Sequence, residues 1–440
     1  MNAVIIAVLV MLVLSLLRVN VVFALLIGAL AGGLSGGLSF MDTLTSFTDG
    51  LGEGATIALS YAMLGGFAVA ISRTGIPELL VSGVLRLVNK NGEATRENLA
   101  KALIIIALLA MAIFSQNLIP IHIAFIPLLV PPILHILNEL RIDRRLIAAV
   151  LTFGLTAPYI LLPYGFGLIF HRIVFEQMEL AGLTIDMADI PKAMAIPVAG
   201  LLLGLIIAVF ISYRKPREYR KTTSTIEGTL KKTASTKDVI VTIVALIAAL
   251  YAQIQTDSMI IGALAGILVL YVFGAMKWRE ADEVLTEGMR MMAFIGFVMI
   301  TANGFASVIQ ATGAVEPLVD SVLVLFAGNK GIAALAMLVV GLFVTMGIGS
   351  SFATIPIIAA IFVPLSLEFG FSTMAIITLI GTAGALGDAG SPASDSTLGP
   401  TAGLNVDGQH NHIWDTCVPT FLHYNIPLVI FGWIAAMILG

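Results

Sequence analysis

Long apolar runs alternate with short polar connections along nearly the whole chain. A run of about 20 apolar residues is long enough to cross the hydrocarbon core of a bilayer as a helix. The pattern therefore predicts many membrane-spanning helices. We expect the first to be the opening segment MNAVIIAVLVMLVLSLL, which lacks the basic start and small-residue cleavage site of a signal peptide. The longest polar stretch, residues 214–238, divides the chain into two halves.

The composition agrees with this pattern. Of the 440 residues, 58% are hydrophobic and only 11% are charged, whereas a soluble domain carries about 25% charged residues. We therefore expect an all-α polytopic membrane protein whose surroundings are lipid, with no nucleic-acid partner. The single cysteine, Cys417, excludes an internal disulfide and a cysteine-built metal cluster. No cofactor is expected beyond a coupling ion.

The two halves contain a related segment. Residues 48–88 match residues 286–326 without a gap at 16 of 41 positions, an offset of 238. Because apolar composition alone produces chance matches of Leu and Val, the weight rests on a shared Gly-Phe-Ala sequence and a shared Thr-Gly-x-x-Glu sequence. The segment predicts an internal repeat made of residues 1–213 and 239–440, joined by the linker at 214–238.

The distribution of charge orients the two copies in opposite directions. The linker holds eight of the 23 Lys and Arg residues, so the positive-inside rule places it in the cytoplasm. The first copy follows an acidic loop and leads into Arg86 and Lys90, while the second follows Lys277 and Arg279 and leads to Glu316. Inverted repeats are typical of secondary transporters. With about five crossings in each half, both termini are expected outside the cell.

One segment in each half is predicted to form a re-entrant helical hairpin. Residues 102–140 are too long for one crossing and have basic residues at both ends, so the segment must turn back. Its polar tip is FSQNLIPIH at 114–122. The counterpart in the second half is residues 331–368, with the tip GIGSSFATIP at 347–356.

A helix broken by Pro and Gly is predicted after each hairpin. The first, at about 146–170, contains LTAPYILLPYGFG, and the second, at about 372–403, contains GDAGSPASDSTLGPTAG at 387–403. Proline removes a backbone donor and glycine weakens a helix, so neither segment can stay regular. Paired interruptions at matching positions of two halves indicate the binding site of a transporter.

The second broken segment carries the chemistry. It places Asp388 and Asp395 among five hydroxyl side chains, and ionisable residues inside a membrane indicate function. Hydroxyls, amides and backbone carbonyls are oxygen ligands suited to Na⁺, while an aspartate supplies the countercharge or takes a proton. The tips and breaks contain no Lys or Arg, which favours a cation or a zwitterion as substrate.

The predicted substrate and ion site combines the two tips and the two breaks. From the tips it takes Ser115, Gln116, Asn117, Gly349, Ser350 and Ser351, and from the first break Pro163 and Tyr164. From the second break it takes Asp388, Ser391, Pro392, Ser394, Asp395, Ser396 and Thr397. The predicted Na⁺ ligands are Asp388, Asp395, Ser391 and Asn117. The same residues also have structural roles open to them, because Asp caps helices and Ser eases close helix packing in membranes.

The segment GDAGSPASDSTLGPTAG resembles the signature G-D-x-x-S-P-x-S-D-T-T of the NhaC-type Na⁺/H⁺ antiporter family. It departs at Ser396 and at Ala389-Gly390, where relatives often have a charge. The whole chain resembles a short bacterial subgroup proposed as amino-acid permeases, histidine among the candidates. The arrangement of hairpins and breaks is similar to the ion transporter superfamily. That resemblance implies a bacterial cytoplasmic membrane, a homodimer, and a transport domain that slides past a scaffold in an elevator-type mechanism.

Two transport hypotheses follow. The first is Na⁺- or H⁺-coupled transport of a small amino acid, and the alternative is Na⁺/H⁺ antiport. An enzyme is disfavoured because the sequence shows no paired nucleophile and base and no metal-ligand spacing. A channel is disfavoured because it would not need inverted hairpins.

Overall fold

The computed structural model describes residues 2–75, 94–117, 133–134, 136–220, 235–256, 258–315, 329–348 and 351–440, with the single residues 126, 130 and 317. Within these residues every regular element is a helix. Eight of the described helices are long and apolar enough to cross a bilayer. The chain is therefore an all-α polytopic membrane protein, as its sequence predicts.

The helices of the first half are numbered in chain order. They are α1 Ala3–Leu16, α2 Val21–Ser35, α3 Phe40–Ser72, α4 Ala94–Asn117, α5 Arg144–Leu161, α6 Phe166–Leu180 and α7 Asp189–Ile207. The second half contains α8 Thr236–Thr256, α9 Met259–Val272, α10 Ala281–Ala311, α11 Lys330–Ile348, α12 Ser351–Glu368, α13 Thr373–Ala385, α14 Asp395–Leu404 and α15 His412–Leu439. Two π-helical turns, His412–Cys417 and Phe421–Asn425, interrupt α15.

The helices pack as two groups. Helices α1, α2, α3, α8, α9 and α10 contact one another and form the first group. Helices α4 to α7 and α11 to α15 form the second, with α13 packed between α7, α11, α12 and α15. The apolar window of α5 is 89% buried, compared with 22% for α8, so α5 lies at the centre of the second group and α8 at the periphery of the first. The groups meet where α1 and α10 contact α11 and where α10 contacts α14.

Glycines allow α3 and α10 to cross with their backbones in contact. A Cβ atom on Gly288 of α10 would lie 2.2 Å from the backbone nitrogen of Gly66 of α3. A Cβ on Gly50 of α3 would lie 3.0 Å from the Cα of Gly304 of α10. At the repeat offset of 238, Gly50 corresponds to Gly288 and Gly66 to Gly304. The two contacts are therefore reciprocal, as contacts across a two-fold axis are.

The segment at 331–368 consists of two helices that run in opposite directions. The Nζ of Lys330, at the start of α11, donates to the carbonyl of Gly370, just after the end of α12, over 2.7 Å. This bond joins the two distant ends of the pair. The tip residues 349–350 lie outside the described residues, as do residues 118–125 of the first predicted hairpin and residues 221–234 of the linker. Entry of either hairpin into the membrane from one side stays a prediction.

Each half contains a helix that stops and restarts. The first interruption separates α5 from α6 at residues 162–165, where Gly165 adopts a φ of 56°. The second separates α13 from α14 at residues 386–394, where Gly387 adopts a φ of 89°. Left-handed backbone of this kind favours glycine because it has no Cβ. The inverted topology of the complete halves and the domain boundaries stay predictions.

Candidate functional site

The interruption between α13 and α14 is held in shape by its own polar side chains. The hydroxyl of Thr397 donates to the carbonyl of Ser391 over 2.6 Å, and the backbone N–H of Ser396 donates to the Ser394 hydroxyl over 3.1 Å. Ser394 therefore caps α14. From α15, the Oδ1 of Asn425 accepts the backbone N–H of Gly387 over 3.0 Å. The loop is consequently a fixed structure in the interior of the helix bundle.

The carboxylate of Asp388 accepts hydrogen bonds from three hydroxyl groups. Tyr159 of α5 donates to its Oδ2 over 2.9 Å, Ser396 donates to the same oxygen over 3.0 Å, and Ser394 donates to Oδ1 over 2.5 Å. The Tyr159 hydroxyl also lies 3.2 Å from the hydroxyl of Ser351, the first residue of α12. Asp388 thus connects the second break to the last part of α5 and to the start of α12.

The carboxylate of Asp395 accepts a hydrogen bond from the first group of helices. Tyr61 of α3 donates its hydroxyl to the Oδ1 of Asp395 over 2.5 Å. Asp395 directly follows Ser394, the residue whose hydroxyl donates to Asp388, and is the first residue of α14. Each aspartate therefore has a tyrosine partner, one from each group of helices.

Several predicted site residues belong to this arrangement. Asp388, Asp395, Ser394 and Ser396 form its centre, and Ser351 reaches it through Tyr159. Ser391 and Thr397 shape the loop through their hydrogen bond. The carbonyl oxygen of Pro392 lies 2.9 Å from the Nε2 of His412.

Other predicted residues lie elsewhere or outside the described part. The Tyr164 side chain is 71% exposed, and Pro163 is half-buried at the α5–α6 break. Ser115 is buried and donates its hydroxyl to the carbonyl of Ala112 over 2.9 Å. The side chains of Gln116 and Asn117 and the residues Gly349 and Ser350 lie outside the described residues. Their membership of the site stays a prediction.

The sequence did not single out four residues that contact the second break: Tyr61, Tyr159, Thr152 and Asn425. Thr152 donates to the carbonyl of Ser396 over 2.9 Å. The Nδ2 of Asn425 is buried and has no hydrogen-bond partner among the described residues. The available signal was a polar side chain in the middle of an apolar helix, because burying such a group is costly unless it is hydrogen-bonded. Tyr159 follows Pro158 inside the quoted break sequence, where the prediction selected Tyr164 instead.

A buried ion pair lies beyond the other end of α14. The two terminal guanidinium nitrogens of Arg144, at the start of α5, donate to the carboxylate of Asp407, each over 2.6 Å. Arg144 also donates to the carbonyl of Leu404 over 2.9 Å and lies 4.3 Å from the centre of the Tyr219 ring. Burial raises the pKa of the Asp407 carboxyl, but hydrogen bonds and charge from Arg144 outweigh it and hold that pKa below its usual range. The loop after α14 is thereby fixed to α5 and to the start of the linker.

The break offers oxygen ligands and two carboxylates, and it contains no Lys or Arg side chain. Three hydroxyl oxygens surround the carboxylate of Asp388. Oxygen ligands at an unwound helix are typical of the Na⁺ sites of transporters. The same carboxylates could take up a proton in place of the ion. Among the described residues, no group of three or more His, Cys, Asp or Glu side chains is placed to hold a metal ion.

The chain is similar to known sequences over its whole length. The family model described as the Na⁺/H⁺ antiporter family matches residues 150–433, and a second, described as the Na⁺-H⁺ antiporter family, matches residues 2–88. An uncharacterized membrane protein of Vibrio parahaemolyticus is 57% identical over 441 residues, which cover 100% of each chain. YuiF of Bacillus subtilis, named as a candidate amino acid transporter, is 57% identical over 445 residues, again covering 100% of each chain.

The chain also aligns with a solved structure. The crystal structure of the YdaH transporter of Alcanivorax borkumensis is 13% identical, with 90% of this chain and 87% of that chain covered and a TM-score of 0.43.

Proposed function

The chain belongs to the Na⁺/H⁺ antiporter family, and from this premise we propose that it is a secondary transporter that couples Na⁺ or H⁺ to the movement of a small amino acid. The single observation that supports the coupling site is the pair of carboxylates at the α13–α14 break, each accepting a hydrogen bond from a tyrosine. Carboxylates at mid-membrane are expensive to keep and are retained for ion or proton pathways. We infer that Asp388 and Asp395 bind the coupling ion.

Two observations support an amino acid as the transported substrate. YuiF, at 57% identity, is named as a candidate amino acid transporter. The break itself presents hydroxyls, carbonyls and carboxylates without Lys or Arg, so it suits a zwitterion whose ammonium group meets acidic oxygen and whose carboxylate meets hydroxyl or backbone N–H groups. A histidine-like amino acid is the first candidate to test.

The packing of the helices supports an elevator-type mechanism. The first group of helices contains the rigid α3–α10 crossing, and the second contains both interrupted helices and the α11–α12 pair. We infer that the second group moves against the first and carries the site across the membrane. The bond from Tyr61 to Asp395 joins the two groups, so it would have to break during that movement. A homodimer through the first group is part of the same proposal.

Flux measurements on proteoliposomes test the proposal. An inward Na⁺ or proton gradient should drive uptake of labelled L-histidine or another single amino acid of the twenty. Asp388→Asn and Asp395→Asn should abolish gradient-driven uptake while the protein still purifies as a folded species. Glu176→Gln, which alters an exposed carboxylate on α6, should transport as the unaltered protein does. Normal transport by both aspartate variants would refute the site assignment.

The alternative function is Na⁺/H⁺ antiport, which the family match favours. In that case one aspartate would bind Na⁺ and a proton in turn, and no organic substrate would be needed. Na⁺-dependent proton movement in vesicles that take up none of the twenty amino acids would decide for this function. Na⁺-driven uptake of an amino acid would decide against it as the only activity.

A further inference from the structure

A polar cavity lies beside the loop that connects α14 to α15. Its volume is about 490 Å³, within the range of sites that hold small ligands. Its walls come from the turn between α1 and α2, from Phe294 of α10, and from the ends of α14 and α15. The lining includes the amides of Asn405, Gln409 and Asn411, which both donate and accept hydrogen bonds.

Opposite charges line this cavity. Arg18 and Asp415 both contribute to its wall and also to the wall of an adjoining cavity of about 350 Å³. The adjoining cavity adds Arg145 and Arg217, whose charges are met by Asp143 at 2.6 Å and by Asp415 at 2.9 Å respectively. Arg18 is exposed and makes no ion pair with any residue that the structure describes. An anionic ligand would therefore meet a guanidinium that is free to bind it.

The backbone at Arg18 is unusual for a residue with a side chain. Its φ of 66° lies in the left-handed region, just after the end of α1. Two backbone bonds close the turn, from Arg18 N–H to Ser15 O and from Val19 N–H to Leu14 O, both at 3.0 Å. This is the C-terminal helix motif that normally has glycine at the left-handed position. The presence of arginine there places a long cationic side chain at the cavity despite the backbone strain.

One side chain, His412, separates the cavity from the break between α13 and α14. His412 and Thr401 line it, and His412 Nδ1 lies 2.8 Å from the Thr401 hydroxyl. The opposite nitrogen of His412 lies 2.9 Å from the carbonyl of Pro392, in the break that holds Asp388. A ligand in the cavity would therefore be one side chain away from the break.

We propose that this cavity is a vestibule site for a zwitterionic amino acid, with Arg18 binding the carboxylate and Asp415 binding the ammonium group. The proposal rests on the proposed function, because it adds a binding site on the path of the transported substrate. A guanidinium can bind a carboxylate through two parallel N–H···O bonds, which the amide groups of the wall cannot do. The polar wall and the route to His412 favour an amino acid over a lipid headgroup.

The test compares amino acids with their methyl esters, which keep the ammonium group and lack the negative charge. Binding of each of the twenty amino acids, and of the ester of each that binds, is measured by thermal shift on the purified full chain. The unaltered protein should bind the acid at least tenfold more tightly than the ester. Arg18→Gln should remove this preference, and Asp415→Asn should weaken binding of acid and ester alike. Arg141→Gln should change neither, because Arg141 has a similar φ of 51° but lies outside both cavities.

The outcomes separate this proposal from the proposed function. If the protein transports an amino acid and Arg18→Gln still prefers the acid over the ester, the vestibule site is overturned and the transport function stands. An Arg18-dependent preference in a protein that transports no amino acid supports the site and refutes the transport function. No binding of any amino acid overturns the site. In a last outcome, phosphatidylglycerol nanodiscs stabilise the unaltered protein but not Arg18→Gln, while amino-acid binding is the same in both. That result would assign the cavity to a lipid phosphate and overturn the proposed amino-acid site.

Discussion

Asp407→Asn should destabilise the fold strongly because it leaves the charge of Arg144 buried without its counterion. The Arg144 side chain is 0% exposed and that of Asp407 is 7% exposed, and both of their bonds measure 2.6 Å. Removing one partner of a buried ion pair costs about 3–5 kcal/mol. Arg144 keeps its bonds to Leu404 O and to the Asn138 side chain, so we expect about 3 kcal/mol, the low end of that range.

The unfolding free energy can be measured by titrating detergent-solubilised protein with sodium dodecyl sulfate. The matched control is Lys192→Gln, which removes an exposed ion pair with Asp189 of nearly the same length, 2.7 Å. An exposed pair contributes at most about 1 kcal/mol. A double variant, Arg144→Met with Asp407→Asn, should lose less than the sum of its single variants, because it leaves no unpaired charge. A loss for Asp407→Asn no larger than that for Lys192→Gln would refute the reasoning.

The same pair predicts a dependence on pH. Since folding lowers the pKa of Asp407, the stabilisation it provides is present above the unfolded pKa of about 3.9 and is lost as the pH falls through the lower folded value. The difference in unfolding free energy between the unaltered protein and Asp407→Asn should therefore be constant near neutral pH and shrink below about pH 4. A difference that grows on acidification would contradict the assigned ion pair.

Three further outcomes are expected. Tyr159→Phe should lower gradient-driven uptake about 10- to 150-fold, since a hydrogen bond to a charged group contributes about 1.5–3 kcal/mol. Tyr164→Phe should leave uptake unchanged, and the reverse result would favour the sequence-based choice. Arg18→Gly should raise the unfolding free energy by about 0.5–1 kcal/mol by relieving left-handed backbone, while weakening amino-acid binding; lower stability would show that Arg18 is structural. Gly288→Leu should prevent folding, so that size-exclusion chromatography yields no folded protein. Gly52→Leu should be tolerated, because the space around its Cβ is open. Equal yields of the two variants would argue against the crossing.

The class of fold and the position of the second break could be predicted from the sequence alone. Apolar runs of membrane length indicate spans, and Gly387 and Pro392 within the break are local signals that a helix cannot continue. The carboxylates in that break were recognisable for the same reason, because charge is rare in apolar surroundings. These features depend on short stretches of sequence.

The tyrosine partners of the carboxylates could not be predicted, because they come from distant helices. Tyr61 and Asp395 are separated by 334 residues, and Tyr159 and Asp388 by 229. A tyrosine in an apolar span is common, so its hydroxyl carries no information until the packing is known. The ion pair of Arg144 with Asp407 was hidden likewise, since charges near the ends of spans are ordinarily solvated.

The crossing of α3 and α10 has a consequence for the ancestry of the chain. Gly50 with Gly304 and Gly66 with Gly288 make one contact twice, which is what two copies of a half-length protein would make if they paired as a symmetric dimer. Fusion of the two copies would have freed each to diverge. Tyr61 has Met299 at its equivalent position, and the aspartate-bearing break lies in the second half alone. If so, separately expressed residues 1–220 and 235–440 should still co-purify through this crossing, and each pair of halves would hold one coupling site rather than two.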